Sequence, residues 1–332
     1  MRHKPFPGGE DLVFHQECPI CSSESITDLG TPVDHENTLL SYDRCDGCNL
    51  IFMNPRPTQD WYNHLYQAEF WEVKEKKKSR DTGQVRNQIL KEAQWAEKFI
   101  DLLETVSFGV RTECPVILEI GCAYGLIAKL VAEHFSGQAF GVEPNDKARA
   151  VAQDVTGIEI FGNNMDELIQ SDQSNMFDLI IFSHVLENIT DPAVALKAAK
   201  RLLKPDGIIL IDTPNNFVRK SWHIHHPYCF TKPALRCLLH SVGLDIQCSR
   251  SWSRPKYLFG PIYLSIIAGR SEVIPAGSEP SLQIKIKRFI GALQFNLFNR
   301  GPVAKINRLF AQRIWSPGEV SHKEIKRIIE SL

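Results

Sequence analysis

An apolar run that ends in an acidic residue and then breaks at two glycines constrains this chain more than any other feature: Val116-Ile-Leu-Glu-Ile-Gly-Cys-Ala-Tyr-Gly125. The run predicts a buried strand, and the glycines predict a sharp strand-to-helix turn whose backbone can approach a ligand closely. Glu119 narrows the choice of ligand. A carboxylate beside such a turn would repel a pyrophosphate seeking backbone N–H groups at a helix N-terminus. It suits a guest that carries an ammonium and a second positive centre.

The next elements follow in βαβ order. Ala139-Phe-Gly-Val-Glu143 reads as the adjacent parallel strand, and its terminal carboxylate is placed to accept hydrogen bonds from two ribose hydroxyls. Phe177-Asp-Leu-Ile-Ile-Phe-Ser-His-Val-Leu-Glu187 supplies a further apolar strand running into a polar turn. Leu203-Lys-Pro-Asp-Gly207 reads as a tight turn feeding a strand over Ile208–Ile211. A nicotinamide fingerprint would need G-x-G-x-x-G, and here Ala123 stands between the two glycines. A ribose-bearing ligand with a sulfonium and an ammonium is S-adenosylmethionine (SAM).

Taken together, Ile120-Gly-Cys-Ala-Tyr-Gly125, His184-Val-Leu-Glu187 with Asp191-Pro192, Leu203-Lys-Pro205 and Thr213-Pro-Asn215 resemble the class I SAM-dependent methyltransferases. The likeness covers about residues 15–270 and is strongest to members with a small cysteine-rich module in front. It implies an α/β, Rossmann-like fold with a mostly parallel seven-stranded sheet and an antiparallel last strand. It also implies a cofactor pocket lined by Glu119, Gly121, Cys122, Ala123, Gly125, Glu143, Pro144, Asn164, Met165, Ser183 and His184. Two positions depart from the pattern. Ala123 replaces a frequent glycine, and Asn188 replaces the histidine that often follows Val-Leu-Glu.

Near the start, Cys18-Pro-Ile-Cys21 and Cys45-Asp-Gly-Cys48 form two C-x-x-C hooks. Four thiolates spaced this way can close a tetrahedral Zn²⁺ site with no open position, which is structural rather than catalytic. Disulfides or free thiols are the alternative. No signal peptide precedes the hooks, so a cytoplasmic, reducing setting is expected, and it favours the metal. Asn49, after the second hook, is a residue that tolerates a left-handed backbone. Cys114, Cys122, Cys229, Cys237 and Cys248 are scattered and are expected to be small buried hydrophobes.

The chain divides into an N-terminal arm over 1–14, a zinc ribbon over 15–58, a helical linker or lid over 59–111, a methyltransferase domain over 112–270 and a basic amphipathic helical tail over 271–332. The 332 residues, 43% of them apolar, suffice for two cores, and a net charge of −1 gives no general affinity for polyanions. Gln84–Leu103 carries Ile89, Ala93, Ala96 and Ile100 at helical spacing, after a charge run at Lys74–Arg80. The last strands are expected near Leu244–Ser249 and Tyr263–Ala268. The apolar run Tyr257–Ala268 is too short to span a bilayer. In the tail, Lys285, Lys287, Arg288, Arg300, Lys305, Arg308, Arg313, Lys323, Lys326 and Arg327 outnumber Glu319, Glu324 and Glu330. Packing onto the core is the plainer reading, and contact with a membrane surface or partner helix is the alternative.

In-line methyl transfer asks chiefly for alignment, plus a general base where the acceptor is a hydroxyl or carbon acid. His184 follows an apolar strand. His225, His226 and Tyr228 lie in Trp222-His-Ile-His-His-Pro-Tyr228, the kind of His-aromatic segment that lines the acceptor pocket in the resembling family, with His226 the leading base candidate. A metal held by these histidines would lack a nearby carboxylate ligand. The resemblance implies a polar small-molecule acceptor for O- or C-methylation, such as a nucleotide sugar, glycan or natural-product intermediate. Two alternatives are an RNA methyltransferase that docks through the ribbon and a SAM-binding interaction protein without chemistry. The ribbon argues against RNA: from His15 to Met53, Arg44 is its one permanent cation among Glu17, Glu24, Asp28, Asp34, Glu36, Asp43 and Asp46.

Overall fold

The structure, a computed structural model, describes residues 11–30, 40–66, 82–109, 112–216, 222–252 and 262–271, with Ile286 and Ile290. The charge run at 74–80 and nearly all of the basic tail lie outside the described residues. Ile286 and Ile290 are exposed, one helical turn apart.

The central sheet is built from β6 (Val116–Ile120), β7 (Gln138–Val142), β8 (Glu159–Gly162), β9 (Phe177–Ser183), β10 (Leu203–Pro214), β12 (Leu244–Trp252) and β13 (Tyr263–Arg270). Their order is β12-β13-β10-β9-β6-β7-β8. Pairs from β10 through β8 are parallel, whereas β13 runs antiparallel to both β10 and β12. β9 carries the unbroken apolar run Leu179–Phe182 because both its faces are covered, and all its residues but Ser183 are buried. The chain leaves β6 for β7 on one side, and β9 returns on the other. The crevice at the carboxyl ends of β6 and β9 is therefore the switch point where open α/β sheets hold ligands.

Helices cover both faces. α2 (Thr82–Thr105) and α3 (Leu126–His134) pack on one side, where Ala93, Ala96, Phe99 and Leu103 meet Leu130, Val131 and the sheet residues Ile117, Leu179 and Leu210. α4 (Asp146–Val151), which continues as a π-helical turn to Thr156, and α5 (Met165–Gln170) begin at Asn145 and Asn164. Each of these caps accepts a backbone N–H three residues on. α6 (Pro192–Leu202) starts at the Asp191 cap with proline in its first turn, and α7 (Lys232–Ser241) starts at Thr231 with the same device.

The predicted turn at Leu203–Gly207 is absent. β10 runs continuously through it, and the irregularity survives only as a shift in pairing with β9 between Leu203 and Ile208. Cys114 is exposed and Cys237 and Cys248 are half-buried rather than buried, while Cys122 and Cys229 are buried as expected.

At the front, β2 (Ile26–Asp28), β3 (Tyr42–Cys45) and β4 (Ile51–Met53) form an antiparallel ribbon. β1 (Leu12–Val13) pairs separately with β5 (Arg56–Pro57). The fourth strand of the ribbon sheet, β11 (Tyr228–Cys229), comes from the far side of the chain and pairs Tyr228 with Phe52 and Cys229 with Ile51. Tyr42, Tyr62 and Tyr228 are all fully buried at this junction. The Tyr42 hydroxyl donates to the carbonyls of His223 and His226 at 3.0 Å each, and Tyr62 donates to Ile224 at 2.8 Å. Ribbon and core thus share one sheet and one layer of buried phenols. α1 (Gln59–His64), capped by Thr58, then carries the chain from the ribbon to the switch-point crevice.

Candidate active site and metal centre

The two cysteine hooks fold as matching knuckles. The Cys18 N–H donates to Ser23 O and the Cys45 N–H to Leu50 O, both at 2.9 Å. Ser22 and Asn49, one residue past each hook, hold φ of 53° and 62°. Asn49 was legible for this reason, and Ser22 was not. All four sulfurs lie within 4.8 Å of one another, with Cys18 to Cys48 at 3.6 Å and Cys21 to Cys45 at 3.5 Å. These separations are too long for a disulfide. They match the S···S edge of about 3.8 Å implied by a tetrahedron of Zn–S bonds of about 2.3 Å. Hydrogen bonds from Cys18 and Cys48 hold the Cys45 thiol down, and donating to Cys45 pushes Cys18 up to about 12. The donor set and its spacing therefore fit a closed, thiolate-bound Zn²⁺.

At the carboxyl ends of β6, β7 and β9 lies a cavity of about 620 Å³. Of the residues the sequence proposed for the cofactor, Glu119, Gly121, Cys122, Ala123, Glu143, Pro144, Asn164, Met165, Ser183 and His184 line it. Gly125 does not. It caps α3 at φ 74°, and a β-carbon there would stand 2.2 Å from Ile158 Cδ1, so its glycine serves turn and packing. Gly121 has the same need, at φ 70° with Val185 Cγ2 2.4 Å from where a β-carbon would sit. Ala123 takes a left-handed φ of 50°, which costs a non-glycine residue about 1 kcal/mol.

Glu143, 5% exposed, accepts the N–H groups of Ala123 and Asn145, one on each carboxylate oxygen at 3.0 Å. It ties the glycine turn to the end of β7. Glu119, 2% exposed, accepts the Ala128 N–H from the first turn of α3 at 3.0 Å. Burial pushes its carboxyl well above the ordinary range, and the nearby Glu92 and Glu143 push it further. Burial likewise raises Cys122, which is a packed thiol rather than a nucleophile.

His184 sits at the turn after β9 with a left-handed φ of 56°. Its Nδ1 lies 3.2 Å from Glu187 and its Nε2 3.2 Å from Asp212, two carboxylates that are almost completely buried. Asp212 is held in turn by Trp252 Nε1 at 3.0 Å and Ser265 Oγ at 2.5 Å. Burial opposes a charged ring, but the carboxylates of Asp212 and Glu187, which accept from it and carry the opposite charge, outweigh burial and push His184 up to about 9. The two carboxylates favour the protonated ring, and an imidazolium has no lone pair with which to take a proton. Asn188 Nδ2 donates to the His184 carbonyl at 2.9 Å, so the departure at 188 holds this turn in place.

The remaining candidates stand away from the cavity. Tyr228 is buried in the shared sheet, donates to Thr190 O at 2.8 Å and is pushed up to about 12 by burial. His225 and His226 do not line the cavity. Their segment is fastened by its backbone: Tyr66 donates to the His225 carbonyl at 3.3 Å and Tyr42 to that of His226 at 3.0 Å. Residues outside the motifs take their place. Gln59, Asn63 and Tyr66 from α1 and its extension form one wall, and Glu92 and Trp95 from α2 form another. Glu92 interrupts the apolar stripe of α2, and that was the one available sequence signal.

Residues 85–249 match the family model described as a methyltransferase domain. The chain carries a methyltransferase domain. The match begins inside α2, so the helix that supplies Glu92 and Trp95 belongs to the matched region. A ubiquinone biosynthesis O-methyltransferase of Neisseria meningitidis is 24% identical over 114 residues, which is 32% of this chain and 48% of that protein. The enzyme of the same name from Idiomarina loihiensis is 32% identical over 112 residues, covering 32% of this chain and 44% of its own length. The chain thus spans about half the length of these curated relatives. Among solved structures, the 1,6-didemethyltoxoflavin-N1-methyltransferase of Burkholderia thailandensis aligns over 73% of this chain and 98% of its own, at 17% identity and a TM-score of 0.49. Among the described residues, no helix of the methyltransferase domain or its ribbon is long and apolar enough to cross a membrane.

Proposed function

We propose that the protein is a SAM-dependent methyltransferase acting on an uncharged, polar small molecule, with a structural Zn²⁺ held by Cys18, Cys21, Cys45 and Cys48. One observation carries the cofactor reading: Glu119 and Glu143, both buried, converge on the cavity from either side of the glycine turn. Glu119 suits an ammonium, Glu143 suits ribose hydroxyls, and Asn164 and Met165 border the same space. When bound, SAM supplies a methyl group on a sulfonium that is already an excellent leaving group.

The chain's own contribution is alignment. Gly121 and Ala123 bring backbone close to the ligand, while Gln59, Asn63 and Tyr66 form the wall against which an acceptor would rest. The Gln59 side chain accepts from Thr190 Oγ1 and donates to Asn63 Oδ1 at 2.8 Å, which leaves the Asn63 amide hydrogens for an acceptor hydroxyl. His184, as an imidazolium clamped by two carboxylates, positions the turn and does not abstract the proton.

The lining supports an uncharged acceptor. Glu92, Glu119, Glu143, Asp166 and Asp191 border the cavity, and no lysine or arginine does among the described residues. A glycan or natural product without phosphate fits this field better than a nucleotide sugar or RNA. Calorimetry with SAM and S-adenosylhomocysteine, followed by methyl transfer to neutral glycosides and their phosphate esters, tests the reading. Binding of both cofactor forms and preference for neutral acceptors are expected. The absence of cofactor binding would remove the activity, and preference for the esters would remove the acceptor class.

A further inference from the structure

We propose that Cys237, on α7, donates a hydrogen bond to the zinc-bound sulfur of Cys48, as a fifth thiol that steadies the four-thiolate centre without joining it. The inference rests on the proposed zinc site and adds a positioning residue from the methyltransferase domain.

Three observations support it. The capping residue of α7 holds the helix against the second hook: Thr231 Oγ1 donates at 3.4 Å to the carbonyl of Asn49, the residue after Cys48. Cys237, half-buried, packs with Ala234, Leu235 and Leu238 of the same helix into the core that contains Cys18, Cys45 and Cys48. Its thiol hydrogen-bonds with Cys48 and also with Cys21, yet it stands outside the group of four sulfurs that lie within 4.8 Å of one another. It is a neighbour of the tetrahedron rather than a corner. Backbone N–H groups serve the other three sulfurs: Ile20 and Cys21 donate to Cys18, Ser23 to Cys21, and Cys48 to Cys45. Cys48 is met by thiols, those of its fellow ligands Cys18 and Cys45 and that of Cys237.

Metal chemistry decides which partner gives the hydrogen. A coordinating thiol is deprotonated outright, so with zinc bound the hooks have no S–H left to donate. The hydrogen shared between Cys237 and Cys48 then comes from Cys237. Four thiolates on one divalent ion leave a net negative charge in a buried place, and donors around the sulfurs offset the cost of keeping it there.

Two measurements on the full-length protein test the assignment: competition for zinc with a chromophoric chelator, and the absorption spectrum of the cobalt(II)-substituted protein. Cys237→Ala is expected to weaken zinc binding about tenfold to a hundredfold. It should also move the sulfur-to-cobalt charge-transfer band to lower energy, because a thiolate that loses a hydrogen bond gives up electron density more easily. The d–d bands, set by the four tetrahedral ligands, should keep their intensity. Cys237→Ser, whose hydroxyl can still donate, should recover most of the affinity and of the band position. The proposal is overturned if Cys237→Ala binds zinc as wild type does, if serine is as weak as alanine, or if the charge-transfer band does not move. Loss of d–d intensity in Cys237→Ala would also overturn it, by making Cys237 a ligand. Wild-type protein that binds neither zinc nor cobalt would instead overturn the zinc reading, and this proposal with it.

Discussion

His184 offers a prediction whose size can be worked out from its surroundings. Its ring lies between Glu187 and Asp212, 3.2 Å from each, and is 27% exposed, while the carboxylates are almost wholly buried. In the unfolded chain the imidazole returns to about 6.5, whereas in the fold it is pushed up to about 9. Below about pH 6.5 both states carry the proton, and the full attraction stabilises the fold. Above about pH 9 the folded ring is neutral and the contribution is gone. The difference corresponds to about 3 kcal/mol, lost at about 1.4 kcal/mol per pH unit between those limits.

Urea unfolding of zinc-saturated, cofactor-free protein, followed by tryptophan fluorescence from pH 6 to 9.5, measures it against His184→Asn. Asparagine tolerates the left-handed backbone at 184, so the variant removes the charge without adding backbone strain. The variant should be less stable than wild type by several kcal/mol at pH 6 and approach it as pH rises. Two curves running parallel across the range would refute the imidazolium held between the carboxylates, and with it the argument that His184 is not a base.

Other perturbations have equally definite outcomes. Glu143→Ala removes the acceptor of the Ala123 and Asn145 N–H groups as well as the proposed ribose ligand, and should abolish SAM binding in calorimetry. Tyr62→Phe leaves the Ile224 carbonyl unpaired in a buried layer and should cost about 1–3 kcal/mol in urea unfolding. Elemental analysis should find one zinc per chain, and Cys45→Ser should lose it. Because the ribbon sheet contains β11, the same variant should also lower the melting temperature of the whole protein rather than unfold a detached front end.

Much of this was legible in the chain because a few residues do things others cannot. Two hooks of cysteines and a left-handed Asn49 announced the ribbon, and Glu119, Gly121 and Glu143 announced the turn, since each is demanded by local geometry. What stayed hidden depends on long-range register. Nothing local to Trp222–Tyr228 reveals that its carbonyls are taken by Tyr42, Tyr62 and Tyr66, so three neighbouring histidines read as an acceptor pocket when their backbone is fastened to the ribbon and to α1 with its extension. The environment of His184 was equally invisible. Asp212 reads as a polar residue near the end of a strand, and only the pairing of β10 with β9 brings it against the ring. Leu203–Gly207 misled for the opposite reason: proline and glycine are strong turn signals, but the sheet absorbed them as an irregular pairing.

The two-residue strand at Tyr228–Cys229 makes the front end inseparable from the catalytic core. A cut after position 58 would not release a self-sufficient catalytic half. It would expose the edge and apolar face that Phe52 and Ile51 now cover, inviting association with other chains. Exchanging ribbons between relatives would for the same reason require moving the 222–230 loop as well. The cysteine ribbon and the 222–230 segment are two jaws of one clasp, so changes to either should be read in the other.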